Sequence, residues 1–354
     1  MRPLVLVLLM PLLASTADLS QEALQEGGHW KQLRRIAEAR ATANPKDSHA
    51  LYLLSCAKLA FGDVDLALKL AEQAVSLEPD NSKYHLQLAL AYGNKANRSS
   101  FFSAMRLGGR YKAEVQKAID LEPKSVEARW ELMEFYIHAP SIAGGDRQKA
   151  RALAEEILRL NQARGFMALA EIAEANKQTH ETEDDLRKAA EADPRSYAAQ
   201  MGAAWFYASE ERKNYGLAEK YAREALSLDA SRCSSYTVLA RVFVRKERWQ
   251  ELDSILEQAE KNVPDDLNPE FQAGLELLLT EKDPRRAEGY FRKYLSQEPE
   301  GRTPALSRAH WRLGQVLGRQ GRTQEAIAEM ETALQIEPSL DQAKKDLKEI
   351  RSRT

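Results

Sequence analysis

Residues 307–340 read SRAHWRLGQVLGRQGRTQEAIAEMETALQIEPSL. The second half of this stretch spells Ala-x6-Ala-x4-Pro through Ala326, Ala333 and Pro338, with the apolar Ile336 two residues before the Pro. The phrase returns as Ala67, Ala74, Leu77 and Pro79. Weaker copies end at Pro45, Pro123, Pro194, Pro264 and Pro299. The spacing of these prolines is short except across two long gaps, Pro123 to Pro194 and Pro194 to Pro264. Each long gap contains one more copy, with Gln162 or Ala230 in place of Pro. The chain therefore repeats with a unit of about 34 residues, and an internal period of that size is the mark of a repeat architecture.

Each unit also has an upstream half. Leu54-Ser55, Leu169-Ala170, Leu239-Ala240 and Leu313-Gly314 stand at one fixed distance before Pro79, Pro194, Pro264 and Pro338. Leu88-Ala89 has the same place before Pro123, with ten extra residues between them. A large residue follows three after the small one at Tyr92, Tyr207 and Phe243, and Tyr136 takes the same place three after Met133. Small and large side chains at helical spacing let two helices approach and interlock. Phe61-Gly62-Asp63 and Gln320-Gly321-Arg322 break their units in the middle. Asp63 and Thr323 are placed to cap second helices, and Asp47 or Ser48, Asn81 or Ser82, and Ser196 to cap first helices.

This unit resembles the tetratricopeptide repeat (TPR), whose signature is a Trp-Leu-Gly-Tyr half followed by an Ala-Phe-Ala-Pro half. The match is best at Leu313, Gly314, Gly321, Ala326, Ala333 and Pro338. The resemblance implies an all-α, right-handed superhelical solenoid of eight to nine helix-turn-helix units closed by a C-terminal capping helix. The expected organisation is a partial unit at 18–47, then 48–81, 82–125, 126–162, 163–196, 197–232, 233–266, 267–306 and 307–340, with cap and tail at 341–354. The departures are a position four that is rarely Trp, two missing prolines and three units with insertions.

Composition agrees with helices. Hydrophobic residues make up 44% of the 354, enough for extensive burial and against disorder. Aromatic residues and glycines are both scarce, and no segment reads as alternating strands, which argues against an α/β enzyme. Lys and Arg number 51 against 53 Asp and Glu, so no global charge favours nucleic acid. Residues 1–17, MRPLVLVLLMPLLASTA, have the charge, short apolar core and small-residue end of a signal peptide cleaved after Ala17. An uncleaved anchor is the alternative. The expected location is the bacterial periplasm or outside the cell, by resemblance to secreted bacterial TPR proteins, with no stable membrane span after cleavage.

The resemblance also implies where a partner would sit. TPR grooves are lined mainly by the first helix of each unit, at positions 2, 5, 9, 12 and 13. Carried onto this chain, those positions give Tyr52, Trp130, Met167, Met201, Trp205, Arg241, Arg245, Phe271, Arg308, Trp311 and Arg319. Trp, Tyr, Met and Arg are the types enriched at binding hot spots and adaptable surfaces. For Trp130, Trp205 and Trp311, ligand contact and packing stand as equal readings; Trp30 and Trp249 are assigned to packing. Glu127, Glu134, Glu171 and Glu174 predict an acidic middle of the groove, and Arg241, Arg245, Arg308 and Arg319 a basic C-terminal end. Position five is never Lys, against a chaperone-type carboxylate clamp.

Two insertions stand apart. Phe101, Phe102 and Met105 in segment 93–110 either lengthen a helix pair and pack on the flank or form a second docking patch. Ala139 to Gly145 reads as a flexible edge loop, since no Gly-x4-Gly-Lys-Ser/Thr pattern follows a strand. No His-x3-His, His-Glu-x2-His or Gly-x-Ser-x-Gly pattern occurs, so neither a metal site, a cofactor nor catalysis is expected. Cys56 and Cys233 lie five units apart and are expected as free thiols. The leading expectation is a non-catalytic exported scaffold binding a protein or peptide in its concave groove. The alternative is a structural subunit of a cell-envelope complex, docking through its convex face or the 93–110 insertion.

Overall fold

The computed structural model describes residues 19–301 and 304–352; the expected signal peptide lies outside the described residues. Among those residues there are nineteen α-helices and no strand. In chain order they are α1 (Gln21–Gly27), α2 (Trp30–Ala43), α3 (Ser48–Ala60), α4 (Val64–Leu77), α5 (Ser82–Ala96), α6 (Phe101–Leu121), α7 (Val126–His138), α8 (Arg147–Leu160), α9 (Gln162–Ala175) and α10 (Thr179–Ala192). They continue as α11 (Tyr197–Ala208), α12 (Tyr215–Leu228), α13 (Cys233–Arg245), α14 (Trp249–Asn262), α15 (Asn268–Leu279), α16 (Pro284–Tyr294), α17 (Leu306–Arg319), α18 (Thr323–Ile336) and α19 (Asp341–Ser352). No helix among the described residues is long and apolar enough to cross a membrane.

The helices pack as antiparallel pairs from α3–α4 through α17–α18, and α19 follows the last. Small buried residues let the pairs close. Ala89, Ala170 and Ala240 sit at the crossings, and the Ser55 hydroxyl donates to the carbonyl of Ala67 at 2.8 Å. At Gly314 an added Cβ would stand 2.8 Å from Met330 Cγ. Asp47, Asn81, Ser196 and Asp63 accept hydrogen bonds from the first turns of α3, α5, α11 and α4. Thr323 does not cap; it is the first residue of α18, and Arg322 precedes it without a side-chain cap.

The absent Pro at Gln162 has a structural counterpart. Asn161 alone joins α8 to α9, ending one helix and capping the next through a 3.0 Å bond from the Arg164 amide. So short a joint forces the two backbones together, and Gly165 fills the crossing: a Cβ there would lie 2.1 Å from Leu158 Cα. The loop 139–145 is likewise tighter than its sequence suggests. It folds into a 3-10 turn at Ser141–Ala143, and the Asp146 amide bonds back to the Tyr136 carbonyl at 2.9 Å.

The close next-but-one neighbours are first helices: α3 with α5, α7 with α9, α9 with α11, α11 with α13, α13 with α15 and α15 with α17. First helices therefore form the inner row of a curved stack. The curve brings the N-terminal helices onto later units. Gln32 donates to Asp265 at 3.2 Å, the Lys31 ammonium donates to the Asp265 carbonyl at 2.6 Å, and Arg34 grips Glu298 through both oxygens at 3.1 and 2.7 Å. Arg34 also lies 4.0 Å over the Phe61 ring, and Gly301 abuts Trp30 and the Ala60 carbonyl. The opening helices thus seat against the turns that separate later units.

Candidate functional site

The inner row places three of the predicted groove residues around one cleft. Trp130 on α7, Met167 on α9 and Trp205 on α11 line a cavity of about 390 Å³ together with Leu186 and Phe206. Trp205 is 39% exposed, against 8% or less for Tyr52, Met201, Phe271 and Trp311, and is thereby the most open aromatic of the groove set. Trp130 is half-buried, with the Arg164 guanidinium 4.5 Å over its ring. Burial pulls the Arg164 pKa down, while Glu127 and Glu131 act against that shift.

Glu171 and Glu174 border the same cleft. Glu134 and Glu171 occupy position nine of successive units, the position Trp205 holds in the next. His138 Nε2 lies 3.2 Å from a Glu134 oxygen and 3.9 Å from one of Glu171. Burial pushes both carboxyls above their ordinary range; Glu171 adds to the shift at Glu134, and Glu174 adds to it at Glu171. His138 holds position 13 of its unit, the place Arg245 and Arg319 hold in theirs, although the sequence reading did not pick it out. The spacing Glu134-x3-His138, which sets both side chains on one helix face, is the signal that finds it.

The other predicted residues go elsewhere. Tyr52 is buried, bonded to Gln25 at 2.9 Å and stacked 5.2 Å from Tyr84 at the edge of a second cleft. Met201 is core. Phe271 packs on Phe291 and Tyr294. Trp311 lies under Arg312 at 3.9 Å and donates its indole N–H to Asp346 of α19 at 2.7 Å. Phe271, Arg308 and Trp311 do border a third cleft of about 500 Å³, but its rings serve the packing first.

The expected basic end is corrected at two of its four arginines. Arg241 and Arg245 both reach Glu276, which is 1% exposed, and both reach Glu210, Arg241 at 2.6 Å. Their charge is therefore offset locally. Burial pushes the Glu210 carboxyl up, but the two guanidiniums outweigh it and hold the group below the ordinary carboxylate range. Arg319 donates to the Leu278 carbonyl at 2.5 Å and lies 3.7 Å from Glu281, whereas Arg308 is exposed.

The 93–110 insertion lengthens the α5–α6 pair, making α6 the longest helix described at 21 residues. Met105 and Leu107 are half-buried, but Phe101 and Phe102 remain 54% and 83% exposed, edge to face with centroids 5.6 Å apart. Phe101 and Met105 wall a cavity of about 410 Å³ whose other side carries Tyr111, Phe135, Glu131 and Glu134. Cys56 and Cys233 are free thiols; burial pushes Cys56 up to about 12, so neither it nor Cys233, shifted the same way, is a reactive thiolate.

Residues 307–340 and residues 48–81 each match the tetratricopeptide repeat family. Among solved structures, the chain is similar to yeast Tom70 at 14% identity, over 94% of this chain and 80% of that one, with a TM-score of 0.52. It is also similar to a thermophilic TPR protein of Thermus thermophilus (21% identity, 58% of this chain and 95% of that one, TM-score 0.45). A TPR protein of Parabacteroides merdae aligns at 14% identity over 74% of this chain and 98% of that one, with a TM-score of 0.47. No curated protein matches.

Proposed function

Starting from the premise that the chain is a tetratricopeptide repeat protein, and so a protein-interaction scaffold, we propose that it captures an extended protein segment along the inner faces of α7, α9 and α11. The observation that carries this reading is Trp205. A large ring left open beside a second Trp and a Met, on the inner row of a stack whose other aromatics are packed, is the composition of a binding hot spot. The scaffold works by preformed recognition and carries out no chemistry of its own. It acts after export, in line with the leader-like residues 1–17. Replacing Trp205 by a photo-crosslinking amino acid in native cells tests the groove, with Trp205→Ala as its partner variant. One specific crosslinked partner, lost from pull-downs with Trp205→Ala at unchanged melting temperature, is expected. A pull-down indifferent to Trp205→Ala would sink the proposal.

A second reading has its own support in Phe101 and Phe102. Two exposed rings on the lengthened α6 suit a subunit that docks through the insertion. Crosslinks at Phe102 into a stoichiometric assembly, with none at Trp205, would favour it.

A further inference from the structure

We propose that Glu134, His138 and Glu171 form a binding site for one divalent transition-metal ion that bridges α7 and α9. One nitrogen and two carboxylate oxygens, one from each residue, lie within 4.8 Å of one another. His138 Nε2 is 3.2 Å from its Glu134 oxygen and 3.9 Å from its Glu171 oxygen. Ligands bound to one ion at about 2.0–2.2 Å stand roughly 3–3.5 Å apart along a coordination edge, so small side-chain adjustments close the set.

The electrostatics point the same way. Other buried or half-buried carboxylates are answered by strong cations, Glu219 by Lys246, Arg223 and Arg248, Glu288 by Arg292 and Arg322, and Glu276 by Arg241 and Arg245, while Glu114 and Glu329 each have one histidine to themselves. Glu134 and Glu171 have no Lys or Arg ion pair among the described residues; their sole paired cationic group is His138. Glu131 and Glu174 add further negative charge beside them. A neutral imidazole leaves two carboxylates facing each other at partial burial, and an inner divalent charge relieves that repulsion. The donor set also selects: an imidazole suits zinc, copper, iron or nickel, whereas an all-oxygen preference would suit magnesium or calcium.

Helix geometry supports the bridge. Glu134 and His138 are one turn apart on α7, and Glu171 comes from the equivalent position of the next first helix. An ion there ties two adjacent units across the inner row beside Trp205, but its binding does not depend on the protein-capture reading.

Calorimetric titration of the full chain with zinc chloride tests the site. One saturable zinc per chain is expected, with affinity reduced at least about tenfold by His138→Ala and by Glu171→Gln. His180→Ala, which removes an exposed histidine outside the site, leaves binding unchanged. Magnesium gives no comparable heat. Cobalt in place of zinc gives a ligand-field absorption band that His138→Ala abolishes. Absence of saturable zinc binding overturns the proposal, and so does parental affinity in both site variants while circular dichroism shows them folded.

Discussion

The backbone N–H of Lys31 donates to Glu300 Oε1 at 2.6 Å, joining residues 269 positions apart in the chain. The Lys31 ammonium lies 3.8 Å from the other oxygen of the same carboxylate. Few contacts in the molecule span more sequence, and none of them could be read from the repeat period.

This contact predicts a pH dependence. Glu300 is buried, and burial pushes its pKa up to about 7 even though the Lys31 amide and ammonium pull it down; Asp266 and Asp265 add to the rise. A carboxyl raised in the folded state contributes stability that is complete below its ordinary value and lost as pH rises through about 7. Asp266 is raised too and acts in the same sense. His29, lowered by burial at the same junction, acts oppositely and costs stability as pH falls below its ordinary value. Comparison with Glu300→Gln isolates the first effect. Melting temperatures of the parent should fall relative to Glu300→Gln between pH 5 and 8 (about the span set by the shift), and parallel curves would contradict the assignment.

Glu276 is the keystone of its local network. Its removal by Glu276→Ala leaves Arg241 and Arg245, both largely buried, sharing only the outer carboxylate of Glu210. Breaking a buried ion pair from one side costs about 3–5 kcal/mol. Urea denaturation should show a loss near the lower end of that range, because Glu210 keeps part of the charge offset. A loss below about 1 kcal/mol would mean the pair behaves as a surface bridge.

Gly165 and Gly314 predict different penalties for the same substitution. In Gly314→Ala the new Cβ meets Met330, a flexible side chain, at 2.8 Å and the Ala326 carbonyl oxygen at 3.1 Å. In Gly165→Ala it meets the backbone of Leu158 at 2.1 Å, which cannot turn aside. Overpacking of the first kind costs about 1–3 kcal/mol, and Gly165→Ala should exceed it. Equal melting temperatures for the two variants would contradict the one-residue joint at Asn161 as a rigid crossing.

The solenoid was legible because each unit folds on neighbours within its own period. Ala326, Ala333 and Pro338 mark a helix and its end whatever lies at the far end of the chain. Groove residues were less legible for the same reason. Position five predicts which way a side chain points along its helix, but the partner of Trp311 is Asp346 on α19, and those of Arg241 and Arg245 are Glu210 and Glu276 on flanking units. Charge segregation along the sequence therefore overstated the charge left facing solvent. His138 stands at a groove position, but the sequence carries little sign of its carboxylate neighbours, because they come from two units and only Glu134 lies at a motif spacing.

A stack of repeats that touch only their neighbours behaves like springs in series, softest where the series stops, and its terminal unit frays first. Here the incomplete opening unit would be the natural place to fray, since α1 is the shortest of the α-helices described. Trp30, Lys31, Gln32 and Arg34 instead fasten it to turns in later units. The loop of contacts turns a free tip into a spoke: to peel α2 away, bonds to Asp265, Glu298 and Glu300 must rupture together. Hydrogen exchange of the α2 backbone amides is therefore expected to run at the pace of the large central core and not at that of a chain end.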